Sequence, residues 1–162
     1  MKLHEITIEN FKNVKYGKIV IPEKPCGQGA SMLGIYGQNG TGKTAVIDAL
    51  AIFNQLVQGN PIPERAAGYI RDNQTARFTL SFVFDNSNTK HKYTVEYEIL
   101  FHAESHEDNI LTFNPDSRVS LSCIIDSERL RFSCIDEEGN KVRMHDAGCA
   151  SRNKGVWPKS FL

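Results

Sequence analysis

The sequence has no excess of charge of either sign, no long apolar run and no paired-cysteine motif. Lysine plus arginine and aspartate plus glutamate number 19 each, so no overall field attracts nucleic acid or a membrane surface. No apolar stretch reaches the length that spans a bilayer. Dense Lys/Arg runs, internal repeats and low-complexity tracts are also missing. These absences exclude a membrane-spanning chain and a repeat array, and any contact with DNA needs a local basic patch.

The length of 162 residues suits one domain with a core of its own. Hydrophobic residues make up 40% and charged residues 23%, which are the proportions of an ordinary globular protein. Residues 1–9 alternate in polarity from the start, unlike a signal peptide. By elimination, we expect a cytoplasmic location and no membrane partner.

The four cysteines, Cys26, Cys123, Cys134 and Cys149, have no CxxC spacing. In a cytoplasmic chain they are expected to be reduced thiols. Strand alternation predicts that Cys123 and Cys134 point inward, as small apolar side chains do.

Two groups of residues could be assembled into a zinc site on paper. One combines Cys134 and Cys149 with His145, and the other pairs His102 with His106. Neither group has a recognised ligand spacing, and the two histidines of the second group lie in a polar connection without a helical pattern. The sequence therefore favours no zinc site at these residues.

One run of residues fits the phosphate-binding pattern G-x-x-x-x-G-K-[ST] at every fixed position. The run consists of Gly37, Gln38, Asn39, Gly40, Thr41, Gly42, Lys43 and Thr44. An apolar segment, 32–36, precedes it and is predicted to be a buried strand. A segment with apolar residues at spacings of three and four follows it and predicts a helix over 43–58, which Gly59-Asn60-Pro61 ends. Strand, glycine loop and helix in this order predict a nucleotide-binding loop.

Each position of this run has a chemical reason. Glycine lets the backbone adopt conformations closed to other residues and approach a ligand closely. Successive amides and the helix N-terminus then form a concave anion site. Lys43 supplies a mobile positive charge to the β- and γ-phosphates of ATP, and the Thr44 hydroxyl suits Mg²⁺. ATP and Mg²⁺ are therefore the expected cofactors.

The chain on both sides of this unit is predicted to be β-rich. The first strand covers 3–9, a turn near Asn13 follows, and 18–21 is its antiparallel partner. Residues 22–30 and 61–75 are predicted loops, the second with one helical turn. Alternating apolar residues predict a hairpin of strands 77–84 and 92–101. A further strand pair, 119–125 and 130–134, leads through the turn 136–140 into 142–144.

Small phosphate-transfer kinases also use such a loop, and they provide an alternative function. Those proteins usually begin with the strand of the loop and continue with alternating strands and helices. Here a hairpin comes first and an antiparallel sheet follows the helix. This order of elements argues against a small-molecule kinase.

Three segments of the sequence resemble the N-terminal lobe of RecF/SMC-type ABC-like ATPases. They are Thr7-Ile8-Glu9-Asn10-Phe11-Lys12, the run 37–44 (the phosphate loop), and the helix segment Ala45-Val46-Ile47-Asp48-Ala49-Leu50. The later meander is more specifically similar to the AAA-type ATPases of bacterial OLD-like and abortive-infection systems. The resemblance is sharp over 3–53 and diffuse over 76–145. It implies an α/β P-loop NTPase (ABC ATPase-like) N-terminal lobe, with a strand-loop-helix core and an antiparallel β-meander.

This resemblance also implies a domain organisation and residue roles. The chain, 1–162, is expected to be a single lobe that forms part of a longer ATPase head. It comprises the hairpin, loop and helix in 1–60, the β-meander in 76–145, and an irregular tail in 147–162. Lys12 matches a basic residue that lies near the nucleotide in this family. Asp48 matches an acidic helix position, and a solvated or packing role is an open alternative.

Other elements of the family are missing from this sequence. There is no LSGGQ-like signature, no identifiable switch histidine and no coiled-coil arm. The nearest approach to a Walker B strand is 122–128, whose Asp126 and Glu128 are weak candidates for catalytic carboxylates, against the alternative of solvent-side acids at a hairpin turn. Gln74 is the one candidate for a glutamine that senses the γ-phosphate.

The leading functional hypothesis is therefore an ATPase lobe of a bacterial DNA-repair or antiviral-defence assembly. Its hydrolysis is expected to need C-terminal elements or a partner, and the resemblance implies a head-to-head homodimer with DNA or an associated nuclease as partner. The alternative is a non-hydrolysing, nucleotide-dependent binding module.

Overall fold

The computed structural model describes residues 2–22, 34–71, 74–86, 91–106, 120–136, 138 and 141–150. Eight elements occur in this part of the chain, six strands and two helices. In chain order they are β1 (Lys2–Phe11), β2 (Val14–Val20), helix α1 (Lys43–Val57), a 3₁₀ helix (Glu64–Tyr69), β3 (Thr75–Asn86), β4 (His91–His106), β5 (Ser120–Ile135) and β6 (Lys141–Ala150). The strands form one sheet in the order β2-β1-β3-β4-β5-β6, and each neighbouring pair is antiparallel.

The N-terminal hairpin turns at Lys12 and Asn13, as the sequence predicts. Phe11 pairs with Val14, so the turn contains two residues. The register of β1 against β3 shifts between Leu3 and Glu5. This bulge lets Leu3 pack against the core on the same side as Ile6 and Ile8, although the three residues do not share one alternation in the sequence. One face of β1 therefore directs Leu3, Ile6 and Ile8 towards the core.

Rows of apolar residues cross one face of the sheet and form the core. Two rows follow the strand register from β1 through β3 and β4 to β5. The first contains Ile6, Leu80, Tyr97 and Leu130, and the second contains Ile8, Phe78 and Ile99 and ends at the buried carboxylate of Glu128. Helix α1 covers this face with Ala45, Ala49, Ile52 and Leu56, which are all buried. Burial of this shared apolar surface is what stabilises a helix on a sheet.

Helix α1 extends from Lys43 to Val57, within one residue of the predicted span. The strand predicted before it is not formed in the described part of that segment. Residues 34–36 lie outside all six strands, and Ile35 is 39% and Tyr36 is 95% exposed. A strand needs a hydrogen-bonding neighbour, and all six described strands pair among themselves. The prediction of a buried strand at 34–36 is thus wrong for this chain, and 32–33 lie outside the described residues.

The largest difference from the sequence prediction is in β5. Two strands joined by a hairpin turn at 126–128 were expected, but β5 is one continuous strand. Its pairing with β4 shifts register where Leu100 faces Ser127 and Phe101 faces Ile125, which leaves Asp126 as the extra residue of a bulge. The bulge moves the inward positions from odd numbers to even ones. In the sequence, this switch of the apolar residues from odd to even positions looks the same as the switch that a turn between two strands would produce.

Two strands of the meander, β4 and β6, are longer than predicted. The hairpin of β3 and β4 is confirmed, and β4 continues through His102 to His106, where a polar connection was expected. Strand β6 reaches Ala150 and so includes the first residues of the segment 147–162 that was expected to be irregular. The rest of that segment and most of the predicted loop 22–30 lie outside the described residues. The helical turn expected within 61–75 is the 3₁₀ helix.

The face of the sheet opposite α1 is polar and carries paired charges. Lys18 Nζ lies 2.8 Å from Glu5 Oε2, and the Arg129 guanidinium contacts both carboxylate oxygens of Asp146 at 2.8 and 2.7 Å. The hydrogen bond from Arg129 holds the pKa of Asp146 below its ordinary value. These pairs are exposed, so they favour the register of the strands more than they add to stability. None of the described helices has both the length and the apolar character that crossing a membrane requires.

Candidate functional site

The glycine-rich loop leads directly into the N-terminus of α1. Gly40 and Gly42 have φ angles of 88° and 90°, a region that other residues enter at a cost. Gly42 is the N-cap of α1, and its carbonyl accepts from the amides of Ala45 and Val46 at 3.0 and 3.3 Å. The loop residues from Gly37 to Thr41 are exposed. The backbone thus presents an exposed turn at the start of a helix.

The helix end at this loop keeps its positive electrostatic character. No side chain caps the N-terminus, and the first turn contains no acidic residue. The first amides of an α-helix have no intrahelical acceptor, and the helix dipole adds partial positive charge there. This N-terminus is therefore suited to an anion in a way that a capped helix is not.

Lys43 extends back across the loop. Its ammonium donates to the carbonyls of Gly37 and Gln38, each at 2.6 Å. The Thr41 hydroxyl also donates to the Gln38 carbonyl at 2.9 Å. These bonds hold the positive charge over the loop, while the neighbouring Thr44 is exposed. Lys43 thus lies over the loop, and the exposed Thr44 follows it at the start of the helix.

The β1–β2 turn lies against the loop. The Asn13 side-chain amide donates to the carbonyl of Gly40. A Cβ atom added to Gly42 would lie 2.6 Å from Cγ2 of Val14. The hairpin therefore packs against the loop at both of these glycines. Asn13 is a site residue that sequence reasoning missed, although its place next to Lys12 was a signal.

Lys12 links the turn to both helices. Its ammonium forms a partly buried ion pair with Asp48 of α1, and it lies 4.3 Å from the centroid of the Tyr69 ring. Its backbone amide donates to the carbonyl of Tyr69 at 2.7 Å. The structure thus brings Lys12, expected beside the nucleotide, to Asp48, one helical turn after Thr44. No local pattern could have identified Tyr69, because the contact joins residues far apart in the chain.

A polar pocket of about 220 Å³ adjoins this turn. It is lined by Asn10, Lys12, Asn13, Val14, Lys15, Arg71 and Gln74. Gln74, the candidate for sensing the γ-phosphate, therefore shares a pocket with Lys12 and Asn13, just before β3 begins. Three cations among the lining residues favour a negatively charged occupant.

The two candidate catalytic carboxylates lie elsewhere on the sheet. Asp126, the bulge residue of β5, contacts Nδ1 of His102 at 2.8 Å. Glu128 is 5% exposed and accepts a hydrogen bond from the Tyr97 hydroxyl in the core layer. Both lie within one continuous strand, so the expected hairpin turn is wrong for both, and the expected solvent-side position is wrong for Glu128. The side chain of Asp126 is 37% exposed. Strands β3 and β4 separate them from the hairpin that contacts the phosphate loop.

The cysteine and histidine groups do not form a metal centre in the described residues. No cluster of three or more His, Cys, Asp or Glu side chains that could hold a metal ion is found there. The strand register places Cys134 opposite Arg143 and Cys149 opposite Glu128, so these two cysteines are far apart along the sheet. Cys123 and Cys134 are free thiols, and burial raises the pKa of Cys123 to about 11.

The donors around the loop fit a magnesium–triphosphate group. The uncapped helix N-terminus and the loop glycines supply amides, Lys43 supplies a cation that is already over the loop, and Thr44 offers an exposed hydroxyl. When bound, Mg²⁺ would neutralise phosphate charge and hold phosphate oxygens in place. The residues of this chain would bind and orient the group.

Comparison with known proteins agrees with this chemistry. A search of curated proteins finds no match. A protein-family model described as the AAA ATPase domain matches residues 1–146, which is most of the chain. With the phosphate loop, the uncapped helix and Lys43 in place, this match shows that the chain belongs to the AAA ATPase domain family of nucleotide-binding ATPases.

Proposed function

We propose that this chain is the ATP-binding lobe of an ABC-like ATPase that acts in bacterial DNA repair or antiviral defence. The resemblance of residues 3–53 to RecF/SMC-type ATPases, and that of the meander in 76–145 to OLD-like ATPases, supports a role in repair or defence. The geometry of the loop supports ATP as the ligand. The observation on which the proposal depends is that the Lys43 ammonium lies over the loop at an uncapped helix N-terminus.

Hydrolysis by the proposed lobe needs elements that these residues do not supply. Asp126 and Glu128 are engaged by His102 and Tyr97, on a strand separated from the hairpin at the loop. This engagement supports a catalytic carboxylate that comes from outside the described residues, in the same protein or in a facing head.

The test of ligand binding is a titration with a fluorescent ATP analogue and Mg²⁺. The change Lys43→Ala is expected to weaken binding by tenfold or more, because one charged contact to phosphate is worth about 1.4 kcal/mol or more. Lys18→Ala is the matched control, because Lys18 pairs with Glu5 near the other end of the hairpin. Equal affinities of the two variants would contradict the proposal.

The test of turnover uses the same chain with ATP and Mg²⁺. Hydrolysis is expected to be far below 1 per second, the lower end of ordinary enzyme rates. A steady rate of about 1 per second or more would show that the chain carries its own catalytic carboxylate. In that case Asp126→Asn and Glu128→Gln would show whether either residue is the source.

A non-hydrolysing binding module is the second candidate. It is favoured by the same engagement of Asp126 and Glu128, since a module that only binds nucleotide needs no free carboxylate. The two candidates differ when a facing head or the rest of an ATPase is supplied. Turnover then rises if the lobe is part of an ATPase and remains absent if it is a module.

A further inference from the structure

Lys12 is held in an unusual position for a surface lysine. Its φ angle of 54° lies in the left-handed region, which costs a non-glycine residue about 1 kcal/mol. The conformation is kept by contacts on three sides: the Tyr69 carbonyl, the Tyr69 ring and the Asp48 carboxylate. Only 18% of its side chain is exposed. A flexible lysine has thus been fixed in one place.

That place is beside the phosphate loop. Asn13, the next residue, donates to Gly40, and Val14 contacts the position of Gly42. Asp48 lies four residues after Thr44 and therefore on the same face of α1 as the residue suited to Mg²⁺. Lys12 also lines the polar pocket with Lys15 and Arg71. Its ammonium is paired with a carboxylate on α1, the helix that begins at the loop, and the two residues after Lys12 contact the loop itself.

We propose that Asp48 and Tyr69 are positioning residues that hold the Lys12 ammonium at the edge of the phosphate loop, where it assists Lys43 in binding the phosphates of a nucleoside triphosphate. This inference rests on the proposed function. Asp48 does not touch the ligand, and it acts only through Lys12. The carboxylate restricts the lysine to one orientation, so binding does not have to order a long, flexible side chain.

A double-mutant cycle separates this role from a structural one. Affinity for a fluorescent ATP analogue with Mg²⁺ is measured for the wild type, Lys12→Ala, Asp48→Ala and the double variant. Each single change is expected to weaken binding by about tenfold, and the double variant by no more than Lys12→Ala. Asp48→Asn keeps an acceptor for Lys12 and is expected to weaken binding less than Asp48→Ala. Glu5→Ala, which removes the partner of Lys18 far from the turn, is the control and retains wild-type affinity.

The role of Tyr69 is tested with two replacements. Tyr69→Phe keeps a ring under the ammonium, whereas Tyr69→Leu removes it. The leucine variant is expected to bind the analogue several-fold more weakly than the phenylalanine variant. Equal affinities of the two variants would remove Tyr69 from the proposal.

A measurement without nucleotide gives an independent result. An NMR spectrum that detects lysine ammonium groups is expected to show a slowly exchanging Lys12 signal, which disappears in Asp48→Ala and persists in Glu5→Ala. Wild-type affinity in Asp48→Ala, tighter binding, or an equal loss in the Lys12→Ala background would each overturn the inference. If the wild type binds no nucleotide, the proposed function itself fails, whereas Lys43-dependent binding that ignores Asp48 refutes only this inference.

Discussion

Gly42 meets two constraints at once. Its φ of 90° disfavours a side chain, and a Cβ would lie 2.6 Å from Val14. Gly40 meets only the first, because no atom lies within 4 Å of a Cβ placed there. The two glycines therefore have different reasons to be glycine, and only Gly42 is a fixed position of the G-x-x-x-x-G-K-[ST] pattern.

Alanine at each position is expected to separate these reasons. Gly40→Ala is expected to destabilise the fold by about 1 kcal/mol through backbone strain alone. Gly42→Ala adds the contact with Val14, so its loss should be larger by about 1 kcal/mol or more. Urea unfolding measures both, and the added change Val14→Ala should relieve only the Gly42 variant. Equal destabilisation by the two variants would mean that the hairpin yields to the added methyl.

Cys123 provides a test at high pH. Burial raises its pKa to about 11, so the native state keeps the proton that an unfolded chain loses near pH 9. The neutral thiol therefore stabilises the fold fully below about pH 9, and this contribution is lost as the pH rises towards 11. Alkylation of Cys123, followed by peptide mass spectrometry, is expected to accelerate about tenfold per pH unit between pH 8 and 10. A plateau near pH 9 would show an unperturbed thiol.

Among the elements, α1 shows how a helix is fixed by the residues it buries. Ala49 is fully buried against the sheet, whereas Ala51 is exposed on the same helix. Small residues at the buried positions let the helix approach the strands closely, and Phe53 then reaches Phe82 and Tyr97 at 5.4 and 5.2 Å between ring centroids. This close approach also sets the position of the phosphate loop at the start of the helix.

Leucine at these two alanines is expected to have opposite outcomes. Ala49→Leu inserts a larger side chain into a packed layer and should destabilise by about 1–3 kcal/mol. Ala51→Leu adds no contact with the sheet and should change stability by less than about 0.5 kcal/mol. Thermal unfolding of both variants decides this. Tolerance of leucine at position 49 would indicate a looser layer between helix and sheet.

Local patterns predicted those elements whose partners are close in sequence. The span of α1, the β1–β2 turn and the β3–β4 hairpin follow from periodicity and turn residues over short windows. The bulge at Asp126 was missed because it produces the same parity change as a turn, and only the pairing with β4 separates the two. The contacts of Lys12 with Asp48 and Tyr69 were missed because they join three distant segments.

Across the whole molecule, strand order decides how firmly each strand is held. Strand β1 lies between β2 and β3, so it gains its second neighbour only after the chain has passed through α1 and the 3₁₀ helix. Strands β3 and β4 have a neighbour on each side and carry much of the core. Strands β2 and β6 each have one partner among the described strands.

Hydrogen exchange is expected to follow this order. Amides of β3 and β4 should exchange most slowly. Amides of β2 and β6 should exchange faster, because the free energy of the local opening that exposes them is much lower. Mass spectrometry of exchanged peptides measures this, with the urea-unfolded chain giving the intrinsic rates. Protection of β2 equal to that of β3 would show that the hairpin is held by more than its one strand partner.

Tyr36 offers a practical consequence of the open segment before the loop. Its side chain is 95% exposed, and it immediately precedes Gly37. A small dye attached through a cysteine at this position would touch little of the protein interior, yet it would stand next to the Lys43 charge. Its emission would therefore report occupancy of the loop in real time, without a modified nucleotide.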